Sequence, residues 1–256
     1  QYAILGFSML LRDRLLARLA DAAGTPDYVR LAEEVLGIRN APAALARRLV
    51  EQALVVEDRR EAWLRAGARA CEEAPAAPGV YVLRAHDGAP LYVGKANNLR
   101  RRLRTHFAAR RWRTLKPVFA RAAGATWECV GSEIEALLAE ARLIRALRPP
   151  ANVQVGAPDA ETRAVPALLV RDTLLVLPSA DAACVVLLGV TVAGAVQVRQ
   201  VMREGRGLAA AADRFRAFFA RRAGGDEALE GQAPLVYSWL AGRGASATRI
   251  DPHDVR

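Results

Sequence analysis

The chain has 256 residues, 52% apolar and 25% charged, with a formal net charge of +10 and a pI near 10.4. That length supports one large domain or two to three small ones, and the charge points to a polyanionic partner, nucleic acid ahead of an anionic membrane. Three scattered cysteines (Cys71, Cys129, Cys184) in no CxxC pair exclude a disulfide scaffold and a cysteine-only metal site, and fit a reducing, cytoplasmic setting. No run of eighteen apolar residues offers a membrane span, so no membrane partner is expected.

The chain begins at Gln1 without the charge pattern of a signal peptide, and reads as an excised or processed piece with something missing upstream. Residues 1–74 read as a helical domain. Asp27–Gly37 carries an apolar stripe at Val29, Ala32, Val35 and Leu36, with Leu31 weakly on it, preceded by Pro26 and stopped by Gly37. Ala41–Leu54 repeats the pattern with Leu45, Leu49 and Ala53. Two short helices joined by GIRN fit a DNA-binding helix-turn-helix or winged helix, or else a small packed bundle. Glu72–Gly79, rich in Pro and Ala, reads as a linker.

Residues 78–155 alternate strand, strand, helix, strand, helix. VYVLRA and PLYVG are β-branched and aromatic runs around the hairpin signal Asp87-Gly88. Asn97 or Asn98 caps a helix with the stripe Leu99, Leu103 and Phe107. TWECV (Thr126–Val130) is a third strand. Ser132 and Glu135 match a capping box before an apolar run, and that helix runs to about Arg148, where Pro149-Pro150 stops it. Between Lys95 and Arg121 stand ten basic residues and no acidic one, with Phe107, Trp112 and Phe119 interleaved. Basic and aromatic residues mixed in this way mark nucleic-acid surfaces. The expected DNA-gripping set is Lys95, Arg100, Arg101, Arg104, Arg110, Arg111, Arg113 and Lys116.

Residues 156–256 read as an α+β region without a chemical constellation. VPALLV, TLLVLP, CVVLLGV and AVQVRQV look like four short strands, and Gly207–Arg222 is a basic amphipathic helix. Asp251 and Asp254 flank His253, a weak metal motif better explained as solvated side chains.

Chemistry concentrates in the middle segment. Arg102 and His106 lie four residues apart, on one helix face beside the Leu99/Leu103 stripe. Glu140 falls between the apolar positions of the later helix, where a carboxylate costs desolvation unless a cation is near. Asn152 lies just past the Pro-Pro stop, in what reads as a loop. Phenols to handle a proton, arginine to fork phosphate oxygens and a carboxylate to hold Mg²⁺ are what phosphodiester hydrolysis needs.

The ordered set Gly79-Val80-Tyr81, Tyr92-Val93-Gly94-Lys95, Arg102, Glu140 and Pro149-Pro150-Ala151-Asn152 resembles the GIY-YIG endonucleases over roughly residues 78–153. Within them it is most similar to the UvrC N-terminal nuclease domain and its single-nuclease relative Cho. The resemblance implies an α+β chain: a small GIY-YIG domain, with a three-stranded antiparallel sheet and flanking helices, between the N-terminal helical domain and the C-terminal α+β region. It also implies roles. Tyr81 holds or deprotonates the attacking water, Tyr92 shapes the site, Lys95 assists the base or stands on the phosphate side, Arg102 faces the scissile phosphate, Glu140 ligates one Mg²⁺ or Mn²⁺, and Asn152 closes the site. His106 stands where UvrC usually has Tyr, which places a group able to titrate near neutrality on the proton path. The chain has no room for UvrC's second nuclease and no helix-hairpin-helix signature. Its flanks instead resemble proteins in which a DEDD-type exonuclease domain precedes a GIY-YIG domain. The expected activity is a metal-dependent single-strand cut in DNA, in nucleotide-excision repair, with DNA and other repair proteins or an upstream exonuclease domain as partners. The rivals are a structure-specific or mobile-element nuclease, and a DNA-binding module whose site has decayed.

Overall fold

Caps and apolar spacing place the first helices in the computed structural model, which describes residues 11–21, 24–108, 117–155, 165–221, 224–244 and 247–252. The chain divides into two units, Gln1–Arg65 and Ala66–Arg256. The first contains α1 (Leu11–Ala20), α2 (Tyr28–Glu34) and the start of α3 (Ala43–Glu73). Asp27 caps α2 by accepting from the Arg30 amide at 3.0 Å. Leu15, Leu31, Ala32, Val35, Ala46 and Val50 form the unit's core, and no strand lies among its described residues. The helix expected to end near Leu54 continues to Glu73, because Glu57–Glu73 is mostly good helix formers and contains no proline.

The second unit holds two antiparallel sheets. The first has the order β2-β1-β3, built from β1 (Gly79–Arg84), β2 (Pro90–Ala96) and β3 (Gly124–Cys129). Asp87-Gly88 makes the β1–β2 turn, with Gly88 at φ +81° and the Asp87 carboxylate accepting from the Ala89 amide at 3.0 Å. Between β2 and β3 lies α4 (Leu99–His106). After β3 comes α5 (Glu133–Leu147), where Ser132 accepts from the Glu135 amide and donates to the Glu135 carboxylate, the expected capping box. Arg148 ends α5 in the left-handed conformation at φ 45°.

Two expectations need correction here. The Pro149-Pro150 pair stops α5 but also opens a new helix, α6 (Pro150–Val155), because proline's fixed φ suits a first helical turn whose N–H groups lack partners anyway. Asn152 is therefore on a helix rather than in a loop. VPALLV is not a strand: Ala167–Leu169 forms a 3-10 turn after Pro166, and Leu168 is 90% exposed.

The second sheet has the order β6-β5-β4-β7, from β4 (Thr173–Pro178), β5 (Cys184–Val190), β6 (Val196–Met202) and the short β7 (Thr248–Ile250). Its fourth strand thus comes from the chain's end. Two helices lie between β6 and β7 in sequence. α7 (Leu208–Arg221) buries Ala211, Phe215 and Phe218 against Leu174, Leu187 and Val201, one face of the sheet. α8 (Ala233–Ala241) packs Val236, Tyr237 and Leu240 with Leu175, Leu188 and Val190. Ile134 and Leu138 of α5 belong to that same cluster, while Ala139, Leu143 and Ile144 pack under the first sheet with Val80, Val82 and Val93. One helix serves two cores. No helix among the described residues is long and apolar enough to cross a membrane.

Candidate active site

Period-two alternation divides the first sheet's residues between its faces. Val80, Val82 and Val93 turn toward α5. Tyr81 turns the other way, opposite Gly94 in the β1–β2 register, and Tyr92 shares that face two residues before Gly94. A Cβ on Gly94 would lie 2.7 Å from the Tyr81 hydroxyl and 2.7 Å from Tyr92 Cε1. Glycine stands there because two phenol rings lie across it. Tyr81 is fully buried, its ring centroid 6.0 Å from that of Tyr92.

The next side chains come from α4. Asn98 caps it, accepting from the Arg101 amide at 2.9 Å. Burial of Leu99 and Leu103 fixes the helix face, and Arg102 and His106 ride on its flank. Arg102 is exposed, yet its Nε donates to the Tyr81 hydroxyl at 3.2 Å. The His106 ring is 5.6 Å from both phenol rings. Phe119 completes the cluster, 5.4 Å from Tyr92 and 5.9 Å from His106. Burial pushes the Tyr81 hydroxyl far above its ordinary pKa, the neighbouring Tyr92 phenol pushes it further, and Arg102 offsets only part of this. Arg102 is raised in turn, first by Tyr81.

The free edge of β2 brings in the remaining polar residues. An edge strand leaves outward N–H and C=O groups unpaired, and buried ones must find partners. Val93 turns both groups to Asn152, whose side-chain oxygen accepts from the Val93 amide at 2.8 Å and whose NH₂ donates to the Val93 carbonyl at 3.0 Å. Two residues on, the Lys95 amide donates to Glu140 Oε1 at 3.0 Å. Asn152 and Glu140 thus extend the sheet with side chains in place of a fourth strand. Burial raises the Glu140 pKa, opposed by the Lys95 amide, then the Lys95 ammonium, then Arg102.

The structure therefore brings Tyr81, Tyr92, Arg102 and His106 together, holds Glu140 of α5 to the β2 edge through the Lys95 amide, and pairs Asn152 with the strand's backbone. The Lys95 ammonium lies 3.7 Å from Glu133 Oε1. Of the expected DNA-gripping residues, Arg101 and Arg104 are exposed, whereas Arg100 is tied by its Nε to the Ala74 carbonyl at 2.7 Å. Arg110, Arg111, Arg113 and Lys116 lie outside the described residues, as do Trp112 and His253. Neither Phe119, read from sequence only as an aromatic of the basic nucleic-acid surface, nor Glu133, read only as a first-turn acid, was expected at the site. Among the described residues no three His, Cys, Asp or Glu side chains gather as a metal cage.

Comparison with known proteins matches residues 77–153 to the family model of the UvrC-like GIY-YIG domain. The chain is 43% identical over 84 residues to UvrABC system protein C of Tropheryma whipplei (strain Twist), covering 32% of this chain and 14% of that protein. It is 41% identical over 78 residues to excinuclease cho of Salmonella typhimurium, covering 30% of this chain and 26% of that one. Among solved structures, the GIY-YIG N-terminal endonuclease domain of UvrC from Thermotoga maritima, bound to its catalytic divalent cation magnesium, shares 32% identity. It covers 32% of this chain and 91% of that chain, with a TM-score of 0.28. The chain spans 14% and 26% of the lengths of these two curated relatives.

Proposed function

Residues 77–153 are a GIY-YIG endonuclease domain of the UvrC type, and from that premise we propose that the chain is a divalent-metal-dependent DNA endonuclease that makes single-strand cuts in nucleotide-excision repair. The observation that carries the reading is the Arg102–Tyr81 hydrogen bond beside the half-buried Glu140. It joins a phosphate-sized cation, a proton-bearing group and a metal-type carboxylate at one place.

A divalent ion fits Glu140. The carboxylate is desolvated, its pKa is raised by burial, and the Lys95 amide occupies one oxygen. Hard cations of the Mg²⁺ type accept one carboxylate and fill their other positions with water and phosphate oxygens. When bound, such an ion supplies neutralisation of the charge that builds on the phosphate.

The side chains supply the rest. Arg102, its plane fixed by the bond to Tyr81, presents a guanidinium to the scissile phosphate, a charge-assisted contact that strengthens as negative charge develops. Burial keeps Tyr81 protonated, so this phenol orients the attacking water rather than removing its proton. Of the two roles the resemblance allows Tyr81, holding the water remains, and the base becomes His106, whose ring lies 5.6 Å from both phenol rings. Asn152 is a positioning residue: it fixes the backbone of β2 two residues from the amide that holds Glu140. Exposed Arg101 and Arg104 are suited to grip flanking phosphates. UvrABC partners and a cytoplasmic setting follow as part of the same proposal.

Incubation of the chain with supercoiled plasmid in Mg²⁺ or Mn²⁺ tests it. Relaxed circles should appear before linear DNA, and chelation should stop their formation. No cleavage of plain or adducted DNA with either ion would contradict the proposal.

A further inference from the structure

Beside the catalytic cluster lies a cleft of about 310 Å³. Its walls include Lys95, Arg101, Arg102 and Glu133 from the nuclease domain, and also Arg243, which lies just past α8 in the C-terminal region. Four cations face one carboxylate there. Glu133 Oε1 is paired both with the Lys95 ammonium, at 3.7 Å, and with the Arg243 guanidinium. The Glu133 side chain is only 20% exposed while Arg243 is 72% exposed. Arg243 is thus reachable from solvent, but oriented by a shielded anion into a cleft that already holds the phosphate-facing Arg102. Exposed ion pairs of this kind add little stability, so the pairing by itself gives no strong reason for an arginine here. A single oxygen bridging two cations is the arrangement a phosphate oxygen also makes, and arginine meets phosphate with two parallel hydrogen bonds.

We propose that the C-terminal region completes the DNA groove: Arg243 and Lys95 together take a backbone phosphate flanking the scissile one, and Glu133 occupies that phosphate's place until DNA arrives. This rests on the nuclease reading above. It gives the region outside residues 77–153 a part in substrate binding, and makes Glu133 a brake on non-productive anion binding.

Binding of the whole chain to a short duplex, followed by fluorescence anisotropy over a salt series without divalent ion, tests it. Arg243→Ala should weaken affinity about eightfold at 0.1 M salt and flatten the log–log slope by about 0.9, the effect of one phosphate. Arg243→Lys should restore most of the slope. Glu133→Gln frees both cations and should tighten binding. An Arg243→Ala protein with the wild-type thermal midpoint and an unchanged salt slope overturns the proposal. Because no divalent ion is present, the result stands apart from catalysis: a wild-type chain that binds DNA but never cuts it contradicts the nuclease reading and leaves the Arg243 result to be judged on its own slope.

Discussion

Burial decides what Tyr81 can do. A phenol with no solvent access and a second phenol ring 6.0 Å away does not ionise near neutral pH, whatever Arg102 contributes. Tyr81→Phe removes the hydroxyl and leaves the ring's packing, so the thermal midpoint should move little while single-turnover cleavage falls about a hundredfold, as for loss of one positioned group. Wild-type turnover in that variant would make Tyr81 structural. At this scale the sequence was informative wherever spacing alone fixes a neighbour. Four-residue helical spacing put Arg102 beside His106, whereas the face shared by Tyr81 and Tyr92 emerges only from the β1–β2 register. The Arg243–Glu133 pair was not legible, because it joins residues 110 positions apart and no local period connects them.

The free edge of β2 is the element on which the site depends. Its buried Val93 amide and carbonyl are both paired by the buried Asn152 side chain. Asn152→Ala orphans two buried groups at about 1–3 kcal/mol each. Even the lower figure lowers the thermal midpoint by roughly 4–8 °C in a unit of this size. Calorimetry that found no shift would mean water replaces the side chain there. The position of Asn152 in sequence concealed this role. Pro149-Pro150 reads as the end of a helix, and its equal fitness to begin one is visible only once the chain turns back along β2. Likewise the apolar run in α5 announced a buried helix, but not that Ile134 and Leu138 face one sheet while Ala139 and Ile144 face another.

Across the second unit, the shared helix ties Glu140, the proposed metal ligand, to residues that the family match does not cover. Glu140 projects from the helix whose first turns are buried with β4, β5 and α8. Ending the chain after Val155 would expose Ile134 and Leu138, a loss of at most about 3–6 kcal/mol for two fully buried aliphatic side chains. The shortened protein should therefore melt at a lower temperature than the full chain and bind an apolar dye; equal midpoints would show the two cores to be independent. The second sheet was partly legible, since β4 and β5 are near-continuous apolar runs and β6 alternates valine with polar residues. Its fourth, Thr248–Ile250, is too short to carry a pattern.

The central claim is that one carboxylate on that shared helix makes this basic chain a nuclease. Glu140→Gln keeps the shape and an acceptor for the Lys95 amide but removes the charge that holds a divalent ion. Plasmid nicking in Mg²⁺, measured beside duplex binding and thermal melting, tests this most directly. The account predicts binding and melting close to wild type with cleavage lost by at least about a hundredfold. Wild-type nicking by Glu140→Gln would contradict it.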